Sequence, residues 1–278
     1  MFRKKFSIPG LLFQFFLLLY ALISLYPLIW MVFYSLKNND EIFLTNPFGP
    51  PTILHIENYL RAWNTYNLPV YFKNSLIVSL ATVAFTILLA VLFAYALARM
   101  KFKGQHFLRM LTSLGLFIPI QVIMIPIAVL VRDLHINSTL WAVIVPYTAF
   151  NLSFAIMVMY GAMRGLPFEF EESACIDGAN VFQCLLHIIV PNLVAPISTV
   201  SIFVFLNAWN EFNLALILLT KDHLKTMPLG LLFFQGEFTT DWGAMGAAMV
   251  IASIPTVIIY CFFSDKVENA MTVSGAVK

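Results

Sequence analysis

One carboxylate interrupts a long apolar stretch in the last third of the chain. Glu211 is the only Asp, Glu, Lys or Arg between Leu193 and Thr220. A charge at the centre of a bilayer costs ~2.5–3.5 kcal/mol on insertion scales, so such a residue marks a functional site by default. Asn207, Trp209 and Asn210 precede it and could line a path for a polar ligand. Alternatively, Glu211 holds helices together through hydrogen bonds, as polar groups in helix bundles do.

A second pattern occupies residues 164–192, between two apolar stretches. Pro167 suits the first turn of a helix, and the glutamates at 169, 171 and 172 favour its positive N-terminus. Asp177-Gly178 is a turn signal, after which a second helix begins near Asn180. The segment therefore predicts a helix, a glycine turn and a helix.

The second helix of this segment has one apolar stripe. The stripe contains Val181, Phe182, Leu185, Leu186 and Ile189. Pro191 and Pro196 break or kink the chain as it enters the next apolar stretch. The pattern alone fits equally well an amphipathic hairpin that lies at a membrane surface and binds no partner.

The composition shows what class of protein must position these residues. The chain has 278 residues, of which 60% are apolar and 11% charged, against about 45–50% and about 25% in soluble domains. Too little polar surface remains for a water-soluble globule, which excludes a soluble enzyme and a disordered tail. The net charge of +2 also argues against a nucleic-acid partner. We therefore expect an integral membrane protein surrounded by lipid.

Six apolar stretches reach the ~20 residues that a spanning helix needs. They are continuously apolar rather than alternating, which favours helices over barrel strands. We predict an all-α, polytopic protein with one domain over residues 1–278, six transmembrane helices and a cytoplasmic helix-turn-helix loop. The predicted spans are 8–36, 74–98, 108–131, 139–163, 195–219 and 242–264.

The distribution of basic residues gives the orientation. With the N-terminus inside, ten of the 16 lysines and arginines lie on the cytoplasmic side, as the positive-inside rule requires. The first stretch then acts as a retained signal anchor, since its apolar run is too long for a cleaved signal peptide. Both termini and the 164–192 loop are predicted to be cytoplasmic.

The sequence offers no catalytic or metal site. The three cysteines form no CxxC pair, the five histidines form no HExxH motif, and there is no GxxxxGK[ST] loop. A membrane-embedded enzyme would need a nucleophile with a base, a metal cluster or a cofactor motif. We therefore expect no catalytic residue, no metal and no bound cofactor in this chain.

The 164–192 loop resembles a known signature. Its spacing is similar to the EAA motif of bacterial ABC import permeases, with Ser173 and Val190 replacing an alanine and a leucine. The "DGA" at 177–179 fits the carbohydrate branch of that family. The matching positions are Glu172, Ala174, Gly178, Ile188 and Pro191.

The resemblance extends from about residue 94 to the last residue. "ARMKFKGQ", "NAWNEF", "TMPLGL", "DWGAMGAAMVIASIP" and "SGAVK" occur in the order expected of carbohydrate permeases. The first 70 residues agree only in layout. The chain is similar to the permease subunits of bacterial carbohydrate ABC importers, typified by the smaller permease of the maltose transporter.

This resemblance implies a function without catalysis in this chain. The loop would dock on a separate ATPase, and ATP and Mg would be used by that partner. The implied partners are a dimer of ATPase subunits, a second, non-identical permease and an extracytoplasmic sugar-binding protein, all at the bacterial cytoplasmic membrane. The implied ATPase-coupling residues are Glu172, Ser173, Ala174, Asp177, Gly178, Ala179, Ile188 and Pro191.

Two roles remain for the residues around Glu211. Within a sugar importer, Asn207, Asn210 and Glu211 could bind sugar hydroxyls while Trp209 stacks on the ring, or they could act in gating and packing. A rival function is a secondary transporter that uses Glu211 for ion coupling and works without ATP. One buried acid and no apparent inverted repeat argue against that rival. The substrate itself is not encoded in any residue pattern, although we favour an oligosaccharide.

Overall fold

The computed structural model describes residues 8–234 and 240–275, with side chains described from residue 12 to 263 apart from that gap. Regular structure in these residues is helical, and they contain no β-strand. Short π-helical turns occur at Glu41–Thr45 and Leu185–Ile189, and 3₁₀ turns at Gly115–Phe117, Asp222–Leu224 and Leu231–Phe234. The α-helices are α1 (Ile8–Ser35), α2 (Glu57–Asn64), α3 (Leu68–Arg99), α4 (Gln105–Leu114), α5 (Ile120–Asp133), α6 (Trp141–Gly165), α7 (Glu169–Ile176), α8 (Val181–Cys184), α9 (Val190–Asn192), α10 (Val194–Asn210), α11 (Asn213–Leu218), α12 (Met227–Gly230) and α13 (Trp242–Gly275).

Four helical stretches are long and apolar enough to cross a membrane as single helices. They are Leu12–Ser35, Leu68–Arg99, Trp141–Gly165 and Trp242–Phe263. Two bent pairs are long and apolar enough when each pair is taken as one span, which gives four to six candidate spans in the described residues. The prediction of an all-α, polytopic membrane protein is confirmed.

The predicted third span is not one continuous helix. Residues 108–131 are divided between α4 and α5, which are bent by 106°. The break contains the 3₁₀ turn, the extended residue Ile118 and Pro119. Proline lacks an N–H and disfavours the helical conformation of the preceding residue, which favours a break between α4 and α5 at this position. The 108–131 stretch is therefore sharply bent near Pro119, and its assignment as one membrane span stays a prediction.

The predicted fifth span also divides. The 195–219 stretch ends its first helix, α10, at Asn210, and Glu211 adopts an extended backbone with ψ of 127°. The chain resumes as α11 two residues later. At the other end, α10 is bent by 77° from the segment Val181–Asn192, with the break at Leu193 between the two prolines. The 195–219 stretch therefore contains a break at Glu211, and its assignment as one membrane span stays a prediction.

The chain divides into two compact units. One contains residues 1–68 and 230–254, and the other contains residues 69–229 and 255–278. The larger unit has two buried apolar clusters built from α3, α5, α6, α10 and α11, and these clusters fix the helices that carry the site. Nothing tests the single-domain prediction, which stays a prediction.

Two buried charged side chains in the smaller unit hold the loop that follows α1 through hydrogen bonds to its backbone. The buried ammonium of Lys37 donates to the backbone carbonyls of Asn46 and Gly49. Glu41 is also buried and accepts a 2.7 Å hydrogen bond from the backbone N–H of Thr52. Burial raises the pKa of Glu41, but hydrogen bonds from Thr52 and Asn46 and the charge of Lys37 together leave that pKa below its ordinary value of 4.5.

Candidate functional site

A polar cavity of about 340 Å³ lies in the larger unit where α10 ends. Side chains from α6, α10 and the segment that begins α11 supply most of its wall. Its lining residues are Ile120, Tyr147, Phe150, Asn151, Asn207, Ala208, Asn210, Glu211, Phe212 and Asn213. Four asparagines and one carboxylate make this wall unusually polar for a chain of such composition.

Glu211 stabilises the break in the helix. Its Oε1 accepts the backbone N–H of Leu214 at 2.8 Å, and its Oε2 accepts that of Ala215 at 3.2 Å. Both donors belong to the first turn of α11, where backbone N–H groups lack intrahelical partners. The hydroxyl of Tyr147 in α6 donates to the same carboxylate. Glu211 thus joins α6 to α11, as the structural alternative requires, while it also lines the cavity.

The asparagines of the cavity are partly engaged with each other. The amide of Asn207 donates to Oδ1 of Asn151 at 3.1 Å, and Asn151 donates to the backbone oxygen of Tyr147 at 2.8 Å. Asn210 bonds its own helix through the carbonyl of Leu206. Amides carry both donors and acceptors, so unused lone pairs and N–H groups can face a hydroxyl-rich ligand.

Trp209 lies apart from the other three predicted residues of this site. Its side chain is only 2% exposed, and it is not part of the cavity wall. Its ring stacks on that of Phe205 with centroids 5.7 Å apart, and it makes a T-shaped contact with the ring of Phe72 at 5.3 Å. The structure therefore brings Asn207, Asn210 and Glu211 together and places Trp209 in the packing behind them.

The 164–192 segment is a helix, a turn and a helix. The first helix is α7, and Gly178 follows it with a φ of +83°. That left-handed conformation costs glycine little and strains other residues, which explains the residue type at this turn. Asn180 and Gln183 then form a reciprocal capping box that starts α8. A helix, a glycine turn and a helix thus occur in this order, while the assignment of residues 164–192 as a cytoplasmic coupling loop stays a prediction.

The apolar stripe of the second helix is divided between core and surface. Leu185 and Ile189 are buried in a cluster that also contains residues of α3 and α6. Phe182, in contrast, is 61% exposed, and Val181 and Leu186 are exposed as well. Ile176, at the end of α7, is 86% exposed. The segment is anchored in the core by Leu185 and Ile189. Around the glycine turn, which we call its tip, it exposes the apolar side chains of Ile176, Val181 and Phe182.

The predicted coupling residues differ in exposure. Glu172, Ser173, Asp177, Gly178 and Pro191 are exposed, Ala179 and Ile188 are half-buried, and Ala174 is buried. A cleft of about 320 Å³ beside the turn is lined by Asp177, Gly178, Ala179, Gln183, His187 and Ile188. Four of the eight predicted residues, Asp177, Gly178, Ala179 and Ile188, therefore line one cleft. The role of the eight residues in coupling stays a prediction.

An ion pair connects α7 to α3, and sequence reasoning missed it. Nε of Arg99 lies 2.7 Å from Oε1 of Glu171, with side-chain exposures of 7% and 9%. The hydroxyl of Tyr95 donates to Oε2 of Glu171 at 3.1 Å. The sequence pattern presents Glu171 only as one of three acids favouring a helix N-terminus. The pair is 72 residues apart in the chain, so no local spacing could reveal it.

The fold and these two sites define a class of protein. Apolar helices of spanning length carry a polar cavity at a broken helix, and a short helix-turn-helix projects an exposed apolar tip. A polar path within apolar helices is the arrangement of a transport subunit, because irregular backbone at membrane depth is tolerated where it lines a cavity.

Comparison with known proteins identifies the family. Residues 86–273 match the family described as binding-protein-dependent transport system inner membrane component, and the chain belongs to that family. It is therefore a permease subunit of a binding-protein-dependent importer. This membership decides against the secondary transporter that the sequence left open.

Relatives and one solved structure agree with this assignment. The probable ABC transporter permease protein YurM of Bacillus subtilis is 34% identical over 99% of this chain and 91% of its own length. The trehalose/maltose transport system permease protein MalG of Thermococcus litoralis is 32% identical, covering 94% of each chain. A crystal structure of a bacterial ABC transporter involved in alginate import has the same fold, with a TM-score of 0.83 at 20% identity over 95% of this chain and 99% of that one.

Proposed function

We propose that this chain forms half of the channel of an ATP-driven sugar importer and that residues 164–192 dock a separate ATPase. The observation that carries the docking is the exposed tip of the helix-turn-helix, where Ile176, Val181 and Phe182 face outward from an anchored base. Isolated apolar side chains on a surface are ordinary, but a cluster of them on a projecting element marks an interaction site.

The glycine turn makes the tip suitable for insertion into a groove. Gly178 reverses the chain within few residues, and a Cβ placed there would meet no atom within 4 Å. The turn is therefore open to a partner on its outer side. When ATP binding closes an ATPase dimer, a docked helix of this kind moves with the subunit that holds it.

The chemistry of the cavity supports a hydroxyl-rich substrate. Asn207, Asn210 and Asn213 are exposed beside Glu211, and no ion pair of Glu211 occurs among the described residues. Neutral amides with one acceptor carboxylate suit sugar hydroxyls better than a highly charged ligand. Together with the trehalose/maltose relative, this favours an oligosaccharide as the cargo.

The remaining partners follow from the same function. In the proposed importer, a second, non-identical permease would complete the channel. A sugar-binding protein would deliver substrate on the extracytoplasmic side of the chain. Both termini would lie in the cytoplasm, and ATP and Mg would be bound by the ATPase dimer.

The test is purification of the tagged chain from its native membranes in mild detergent. Mass spectrometry of the co-purifying chains should find an ATPase with a P-loop and a second polytopic permease. In Gly178→Arg, the bulky cation at the turn should abolish recovery of the ATPase and leave the second permease bound. Recovery of the ATPase in wild-type amounts by Gly178→Arg would contradict the proposed docking site.

Gly104→Arg is the matched control. Gly104 also has a positive φ, +90°, and open space around a Cβ, so an arginine there introduces the same backbone strain and the same charge. This variant should still recover the ATPase. If Gly104→Arg loses it equally, general strain rather than blocked docking explains the effect.

A further inference from the structure

We propose that Arg99 and Glu171 form a clamp that makes α7 move together with the adjoining end of α3, so that motion of a docked ATPase reaches the polar cavity. This inference rests on the proposed docking at residues 164–192. It adds two positioning residues that do not themselves touch the ATPase or the cargo.

The contacts of Arg99 connect three helices. The residue ends α3, its Nε pairs with Glu171 of α7, and its terminal nitrogen donates to the backbone oxygen of Leu166 at 2.9 Å. Leu166 is the C-cap of α6. The guanidinium also lies 5.4 Å from the ring centroid of Phe168, at the start of α7. One planar cation therefore fixes the α6–α7 connection and α7 itself to α3.

Glu171 is the corresponding attachment on α7. Both carboxylate oxygens bind α3, one through Arg99 and the other through the Tyr95 hydroxyl. Tyr95 and Arg99 are four residues apart and lie one above the other on the same face of α3. α7 has only eight residues and is followed by the glycine turn, so it has little packing surface of its own.

Burial gives the clamp its stiffness. Both side chains are more than 90% buried, and in such a site an ion pair is much less screened by solvent than on a surface. Separating the two charges would leave each uncompensated in an apolar surrounding, which resists any motion of α7 away from α3. Movement of α7 and α3 as one body is therefore favoured over bending between them.

The continuation from α3 to the cavity passes through packed helices. Ala90 and Ala94 of α3 share a buried cluster with Met159 of α6 and with Val200 and Val204 of α10. α6 and α10 carry Asn151 and Asn207, which line the cavity. α3 therefore packs against the two helices that shape the cavity, and a displacement of α3 at Arg99 would push on them directly.

The experiment measures transmission without needing to know the cargo. A single cysteine replaces Asn213 in the cavity, in a chain whose three native cysteines are changed to alanine. The assembled complex is then labelled with N-ethylmaleimide with and without ATP and vanadate. In the otherwise unchanged complex, trapping should alter the labelling rate on the order of tenfold, within the usual size of coupling between sites.

Glu171→Gln and Arg99→Lys are introduced separately into the chain with the single cysteine at position 213. Each variant should still assemble with the ATPase, and the complex should still hydrolyse ATP. Each should lose most of the nucleotide-dependent change in labelling. The charge-reversed pair Arg99→Glu/Glu171→Arg should regain part of it. Glu169→Gln, an exposed carboxylate of the same helix, should respond as the parent does.

Three results would contradict the proposed clamp. The first is a change in labelling of wild-type size in both Glu171→Gln and Arg99→Lys, and the second is a labelling rate in the parent complex that does not change with nucleotide. The third is loss of ATPase binding in both single variants. The last would mean that the pair supports docking rather than transmission. Failure of the proposed function is a separate observation, namely that the parent chain recovers no ATPase.

Discussion

Two glutamates in the larger unit are held in similar surroundings but by different partners. Each accepts a hydrogen bond from a tyrosine of a neighbouring helix, Tyr95 for Glu171 and Tyr147 for Glu211. Glu171 also has a buried arginine, whereas Glu211 has two backbone N–H groups of α11.

This difference assigns different tasks to the two carboxylates. The paired charges of Glu171 and Arg99 connect separate helices, so the contact suits transmission of force. The neutral donors of Glu211 satisfy a helix end, so that contact maintains a break at which three asparagines reach a cavity.

The largest expected effect is on stability when Glu171 is removed. Glu171→Ala leaves a buried guanidinium without its carboxylate and should lower the free energy of unfolding by about 3–5 kcal/mol. Unfolding in mixed micelles followed by circular dichroism measures this change. Arg99→Met/Glu171→Leu, which removes both charges, should recover most of it. A loss below about 1 kcal/mol in Glu171→Ala would show that the pair is not held as described.

Glu211→Gln should have a smaller effect. The amide retains one acceptor oxygen, so one of the charge-assisted hydrogen bonds is lost, at about 1.5–3 kcal/mol. The same unfolding assay applies, and the labelling response to nucleotide should persist because the clamp is intact. If this variant is as unstable as Glu171→Ala, the contrast between the two carboxylates is wrong.

The two tyrosines provide a finer comparison. Tyr147→Phe removes the side-chain donor that joins α6 to Glu211, a hydrogen bond to a charged group, and should cost about 1.5 kcal/mol. Tyr95→Phe should cost less, because Arg99 still holds Glu171. The quantity to measure is the loss of unfolding free energy in each variant. A larger loss in Tyr95→Phe than in Tyr147→Phe would contradict the roles given to the two glutamates.

Glu41 should show the smallest effect, visible as a pH dependence. Its folded-state pKa is lowered, so its contribution to stability is present above the ordinary value of 4.5 and is lost as the pH falls through the folded-state pKa. The net effect is small because burial opposes the hydrogen bonds. Hydrogen exchange of residues 41–52, corrected for intrinsic rates, should show faster opening below pH 4.5. The same pH dependence in Glu41→Gln would exclude this carboxylate as its source.

The sequence predicts what depends on local pattern. The helical membrane architecture follows from composition and run length, and the position of the turn at Gly178 follows from Asp-Gly after an acidic helix start. Glu211 stands out because a charge in an apolar run is costly. These features need no knowledge of which helices become neighbours.

Features that depend on tertiary contacts could not be predicted in this way. An apolar window passes unbroken through Glu211, because hydropathy does not record that a carboxylate can cap the next helix. Pro119 suggests a kink, yet whether proline bends or ends a helix depends on the packing around it. Trp209 looks equally suited to a cavity or a core, and only the positions of Phe72 and Phe205 distinguish the two.

Photo-cross-linking from the loop tip tests the central claim most directly. p-Benzoylphenylalanine replaces Phe182, which is 61% exposed, and in a control chain it replaces Phe48, which is 74% exposed in the loop after α1. In native membranes, the Phe182 position should cross-link to a P-loop ATPase and the Phe48 position should not. A cross-link to the ATPase from Phe48 and none from Phe182 would contradict the assignment of residues 164–192 as the docking element.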